Sequence, residues 1–194
     1  MKKLPRRKCK SLLQFKSVKQ MSSLVLKILK NTVFVMLFFM ISCSEKKITT
    51  VSEETNVIVK KIEKINILMG SIAGFAAIKP EQYENFEALK ETASKEELLL
   101  LTNHSNAVVR CYSFWALAQC RNVDLFSIVK AHINDTTQVA TEFSCLLSSE
   151  KTSDFYINLV NPKYENFEVR QLSEEEFNKL DSILILKKQG QFSR

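Results

Sequence analysis

The side chains that most often carry chemistry are few in this 194-residue chain: two histidines, His104 and His132, and five cysteines, Cys9, Cys43, Cys111, Cys120 and Cys145. A metal centre needs several nitrogen or sulfur ligands at spacings such as HxxxH, HExxH or CxxC. Neither histidine sits in such a pattern, so no metal ligand is expected. Nucleophilic catalysis needs a Ser or Cys beside a base that an acid orients. His104 and Cys111 could form such a pair only if the tertiary fold brought them together. Glu96 and Glu97, like the run Glu174 to Glu176, read as first-turn helix acids, where the dipole favours negative charge. Gly70, Gly74 and Gly190 fit no phosphate-binding loop. Neither a catalytic residue nor a cofactor is therefore expected, and the chain is not read as an enzyme.

Cys43 is different because of what precedes it. Thr32 to Ile41, TVFVMLFFMI, is an uninterrupted apolar run of ten residues, whereas a membrane-spanning helix needs roughly 20. A basic lead-in, a short apolar run and a small residue make up a secretory signal with its cleavage site. Met40 to Cys43, MISC, resembles the lipobox of bacterial lipoproteins. The resemblance implies cleavage between Ser42 and Cys43 and a covalent diacylglycerol and N-acyl lipid on Cys43. It also implies a cell-envelope location, anchored to a bacterial membrane and facing the periplasm, with surface exposure left open. Met40 departs from the commoner Leu. Translation from Met21 would give a signal of ordinary proportions, so either methionine could be the start.

The lead-in also accounts for the charge. The formal net charge is +7, yet residues 1–42 hold ten of the 28 Lys and Arg and none of the 21 Asp and Glu. The rest of the chain is net acidic, which removes the argument for nucleic acid as a partner.

Only three Gly and three Pro disfavour a many-turned β architecture, so an all-α fold is expected. Residues 1–42 read as a basic leader and signal peptide, and 43–56 as the lipidated cysteine with a polar tether. Residues 57–188 read as a helical domain and 189–194 as a fraying tail. Ile58, Ile62, Ile65 and Met69 mark one face of a first helix that Gly70 or Gly74 would end. Pro80 opens a second helix, and Ser94 with Glu97 forms a capping box for a third. VVRCYSFWALAQC, residues 108–120, is apolar nearly all round, as in a helix buried on several sides. Ser173 and Glu176 form another capping box before a terminal helix with Phe177, Leu180 and Leu184 as core candidates.

Two stretches repeat. Asn103, His104 and Val108 align with Asn134, Asp135 and Val139, 31 positions later in each case, a period suited to paired helices in an α-solenoid. NHSNAVVRCYSFWALAQC resembles the short bacterial HEAT-like repeats, with Val109, Arg110, Ala116 and Leu117 at the places of that pattern. Residues 79–160 are also similar to uncharacterised Bacteroidetes-type HEAT-like proteins. The resemblance implies a short α-solenoid fragment, best repeat 94–147, closed by flanking helices. In such repeats the arginine braces the neighbouring turn. The second unit departs from the pattern, with Ala140 and Thr141 where Val109 and Arg110 stand.

Arg110 and Trp115 are the candidate binding residues, although an aromatic in a helix that is apolar all round is more often core. Cys111 and Cys120 lie about 13 Å apart along one helix and cannot bridge. A bridge between Cys120 and Cys145 is open. The function expected is a lipid-anchored, non-catalytic protein-binding or scaffolding module. Its partners are the membrane and an unidentified envelope protein. The alternatives are an inhibitor or immunity-type protein and, behind it, an envelope hydrolase. Oligomeric state is not legible.

Overall fold

A computed structural model describes residues 50–74, 78–164 and 169–192, with side chains placed up to residue 186. The expected signal segment, the expected cleavage and lipidation site at Ser42 and Cys43 and most of the expected tether lie outside these residues. The described part belongs to the compact unit Lys47–Arg194.

The chain begins with α1, Glu53–Ile65, capped by Ser52, whose hydroxyl accepts from the Thr55 amide. Glu53 to Asn56, read as the end of the tether, are its first turn, and Thr55 is fully buried. Asn66 ends α1 in the left-handed conformation, φ 55°, while its amide donates to the Ile62 carbonyl. Next come β1, Leu68–Ala73, then α2, Glu81–Thr92, and α3, Lys95–Leu101. The buried helix α4 is Ala107–Gln119, and α5 is Leu125–His132. The hairpin β2, Gln138–Ser144, and β3, Leu146–Lys151, leads into α6, Thr152–Leu159. The last helix, α7, is Glu174–Phe192, so residues 189–192 of the expected tail are helical.

The all-α, HEAT-like solenoid expectation is therefore corrected. Seven helices accompany a three-stranded mixed sheet in the order β1-β2-β3, so the described domain is α/β. β1 runs parallel to β2, which the long crossover through α2 to α5 permits, and β2 runs antiparallel to β3. Both misread segments have physical causes. The apolar residues of β1 continue the spacing of α1's buried face, but Asn66 stops the helix before them. In β2, Val139 and Thr141 are buried at period 2, a strand pattern. The scarcity of Gly and Pro misled because the β2–β3 turn uses Ser144, φ 56°, in the conformation that glycine usually supplies. The repeat is half real: Asn103 and Asn134 both follow a helix, yet Val108 enters α4 and Val139 enters β2.

α4 is the core around which the other elements pack, with residues 108–118 all buried. Phe86 of α2 stacks on Tyr112 at 5.0 Å and on Trp115 at 4.8 Å between ring centroids, and Phe114 stacks on Tyr156 of α6 at 4.0 Å. Tyr112 also ties α4 to β1: its hydroxyl donates to the Met69 carbonyl at 2.9 Å and accepts from the Met69 amide at 2.8 Å. At the other end, Leu180 of α7 is fully buried, with Phe177 and Leu184 partly so.

The two N-termini of α1 and α3 share one carboxylate. Glu97 closes the capping box by accepting from the Ser94 amide and hydroxyl, and its other oxygen accepts from the Ser52 amide at 2.7 Å. Burial alone would push this carboxyl up, but the bonds from Ser52 and Ser94 outweigh it and hold Glu97 at about 2. A depressed folded-state pKa means stability that is present above the unfolded value of about 4.5 and lost as pH falls towards 2. After allowance for solvent screening the contribution is about 2 kcal/mol. Glu97→Gln should therefore lower stability by about that amount at pH 7 and flatten the decline between pH 5 and 2, as read by urea melts across pH.

Candidate functional site

Arg110 sits one turn into α4, with its guanidinium turned back towards the loop before the helix. One terminal nitrogen donates to the carbonyls of His104 at 2.7 Å and Ser105 at 2.9 Å. Nε and the other terminal nitrogen meet both carboxylate oxygens of Asp135, at 2.8 and 3.2 Å. Asp135 lies in the loop between α5 and β2, where its carboxylate also accepts from the Thr137 amide and its carbonyl from the Ser153 amide. Burial would raise the Asp135 carboxyl, but the bonds from Thr137 and Arg110 prevail and keep it below its ordinary value. The Arg110 carbonyl accepts from the buried Tyr156 hydroxyl. The Arg110 side chain thus fastens the α3–α4 loop to the α5–β2 loop, while the main-chain carbonyls of Arg110 and Asp135 hold α6.

These contacts use the guanidinium's fork, so Arg110 is a brace within the fold. Its sequence-aligned companions Val109, Ala116 and Leu117 are completely buried core. His104 and Cys111 are not brought together as a catalytic pair. The His104 Nδ1 accepts from the Asn106 amide and lies 3.8 Å from Glu63, while Cys111 is sealed in the core and burial pushes its thiol far up. His132 packs against the Tyr156 ring, and burial lowers its pKa. Among the described residues no group of three or more His, Cys, Asp or Glu could hold a metal. Cys111, Cys120 and Cys145 are all free thiols, so the Cys120–Cys145 bridge is absent; Cys145 is exposed at the hairpin turn.

Two surface features around the sheet bear on function. The first is a cleft of about 620 Å³ between β1, the end of β2, α2 and α4. Tyr83 and Phe143, half-buried, form walls, and Trp115, 7% exposed, lies at the base while its ring packs on Phe86. Lys79 and Glu87 are ion-paired at the rim near Gln119. Gly70 lies under Phe143: a Cβ there would stand 2.8 Å from the ring, so the aromatic wall depends on the missing side chain. Beside it the strand register slips, with three β1 residues, 70–72, opposite Phe143 alone.

The second feature is the hairpin edge. β3 pairs only with β2 among the described residues, and five of its six residues are exposed, all but Glu150. Leu146 pairs with Phe143 and Leu147 with Glu142, so the two leucines lie on opposite faces of the sheet, 70% and 72% exposed. Sequence reasoning missed Asp135, Gly70, Phe143 and this edge. The alternation Val139, Thr141, Phe143 was the available signal for β2. No sequence signal named Asp135 as the partner of Arg110.

No protein-family model matches the chain, and no curated protein or solved structure matches it either.

Arg110→Lys should behave as a severe change. Lysine offers three donors from one point and cannot span Asp135 and two carbonyls. A loss of about 2–4 kcal/mol is expected in chemical denaturation, approaching that of Arg110→Ala, since either leaves the half-buried Asp135 carboxylate poorly paired.

Proposed function

We propose that this protein is a lipid-anchored, non-catalytic protein-binding module of the bacterial cell envelope. Support for the anchor comes from sequence alone: a basic lead-in, an apolar run of ten residues and MISC ending at Cys43. Two or more acyl chains on that cysteine would hold the chain firmly on a membrane, each buried methylene contributing about 0.8 kcal/mol. No described helix is long and apolar enough to cross a membrane.

Support for the binding role rests on β3, an edge strand carrying two exposed leucines. Such an edge offers a row of backbone donors and acceptors to an extended segment of a partner, with apolar side chains above and below to select it. Proteins that do not use an edge commonly protect it with lysine, proline or a covering element. Here Ser148 and Ser149 follow the leucines, and the first lysine is the last strand residue, Lys151.

Two variants test the two halves separately. Cys43→Ala should abolish lipid incorporation and leave the chain uncleaved or released; a membrane-bound product of mature size would contradict the anchor. Leu146→Lys with Leu147→Lys should change stability by less than about 0.5 kcal/mol each, because both side chains are exposed. With a photo-crosslinker at position 148 in envelope membranes, a discrete adduct should form in the parent and vanish in the double variant. An adduct unchanged by the two lysines would contradict the edge as the docking site.

A further inference from the structure

The cleft lined by Trp115 lies apart from the β3 edge in its chemistry, and the protein-binding reading leaves it unused. Its volume of about 620 Å³ falls within the range of small-molecule sites, about 300–1,000 Å³. Tyr83 and Phe143, both half-buried, supply apolar ring surface, with the small exposed part of Trp115 at the base between them. Lys79, Glu87 and Gln119 supply hydrogen-bond donors and acceptors around them.

Three features narrow the ligand class. The charges at the rim cancel, because Lys79 is paired with Glu87 and also lies 5.9 Å over the Tyr83 ring. An anion would have to compete with Glu87 for the ammonium, and a cation would have to compete with Lys79 for the carboxylate. A neutral molecule rich in hydroxyls can bond to both without separating them. The second feature is the combination of ring faces with amide, carboxylate and ammonium groups. That combination suits a molecule with apolar C–H faces and a polar circumference. The third is the register slip at residues 70–72, which interrupts the regular strand ladder at the cleft. A peptide seeking continuous backbone pairing finds that ladder at β3 instead.

We propose that this cleft binds a neutral saccharide, one sugar ring held against Tyr83 and Phe143 above the exposed part of Trp115 while its hydroxyls bond to Lys79, Glu87 and Gln119. Because the cleft is partly open to solvent, the ring can belong to a longer glycan chain. Leu146 of the edge pairs with Phe143 of the cleft, but the residues proposed to bond the sugar lie elsewhere, so the two proposals can fail separately.

Trp115 is the only tryptophan in the chain, so its fluorescence reports on the cleft directly. The purified full-length chain would be titrated with a panel of neutral mono- and oligosaccharides, alongside blocked uncharged tripeptides and simple carboxylates. At least one saccharide should give a saturable change in Trp115 emission, with its Kd weakened tenfold or more by Gln119→Ala or Glu87→Ala. Circular dichroism would confirm that each variant is folded. Leu147→Lys, whose cross-strand partner Glu142 does not line the cleft, should leave saccharide affinity within twofold of the parent, separating this site from the edge. The proposal is overturned by saturation with peptides or carboxylates but no saccharide, by no saturable response to any saccharide, or by saccharide affinity unchanged in both cleft variants.

Discussion

The ion pair between Arg110 and Asp135 is the constraint on which the remaining arrangement depends. It joins residues 25 positions apart and closes the route from the buried helix α4 to the hairpin. Asp135 lies three residues before β2, and its carbonyl and carboxylate accept from Ser153 and Thr137 on either side of the hairpin. The start of β2 and the start of α6 are therefore placed by the same residue that holds the guanidinium. A buried or half-buried ion pair adds little net stability compared with a well-packed apolar pair, but losing one partner is costly. Its contribution here is positional: it fixes where the sheet leaves the helical layer.

From that point the polar and apolar parts of the molecule divide their roles. Glu97 gathers the N-termini of α1 and α3, Arg110 gathers the loops, and Tyr112 fastens β1 to α4. Buried polar atoms are almost all committed to such fastenings; Gln82 Oε1 and Asn85 Nδ2 are the exceptions among the described residues. The exposed chemistry is displaced to the sheet. There the hairpin carries its leucines outward and Phe143 leans over Gly70 to wall the cleft. The sheet, backed by the helices, thus presents two surfaces of different character, one apolar along a backbone edge and one aromatic with paired charges.

Much of the helical layer is legible in the sequence because local rules govern it. The Ser94–Glu97 and Ser173–Glu176 boxes form as their spacing requires, and the apolar run 108–118 is buried on all sides. The sheet was harder to read. A short apolar run such as Leu68 to Ala73 fits helix and strand alike, and its conformation is decided by Asn66 ending the helix and by a partner strand 73 residues away. The apparent repeat then drew β2 into a helical reading, although its period of two argued otherwise. At the site, Arg110 could be singled out by resemblance, but Asp135 could not, since a lone Asp after a helix is common and only the fold shows what faces it. The lipid-anchor reading concerns Cys43, outside the described residues, and rests on sequence throughout.

The central claim is that Arg110 braces this fold through Asp135 and does not hold a ligand. A double-mutant cycle on stability with Arg110→Ala and Asp135→Ala tests it most directly. Direct pairing predicts that the double variant is less damaged than the two single losses together, with a coupling energy of about 1.5–3 kcal/mol. Single losses that simply add, with coupling within about 0.5 kcal/mol of zero, would contradict the account.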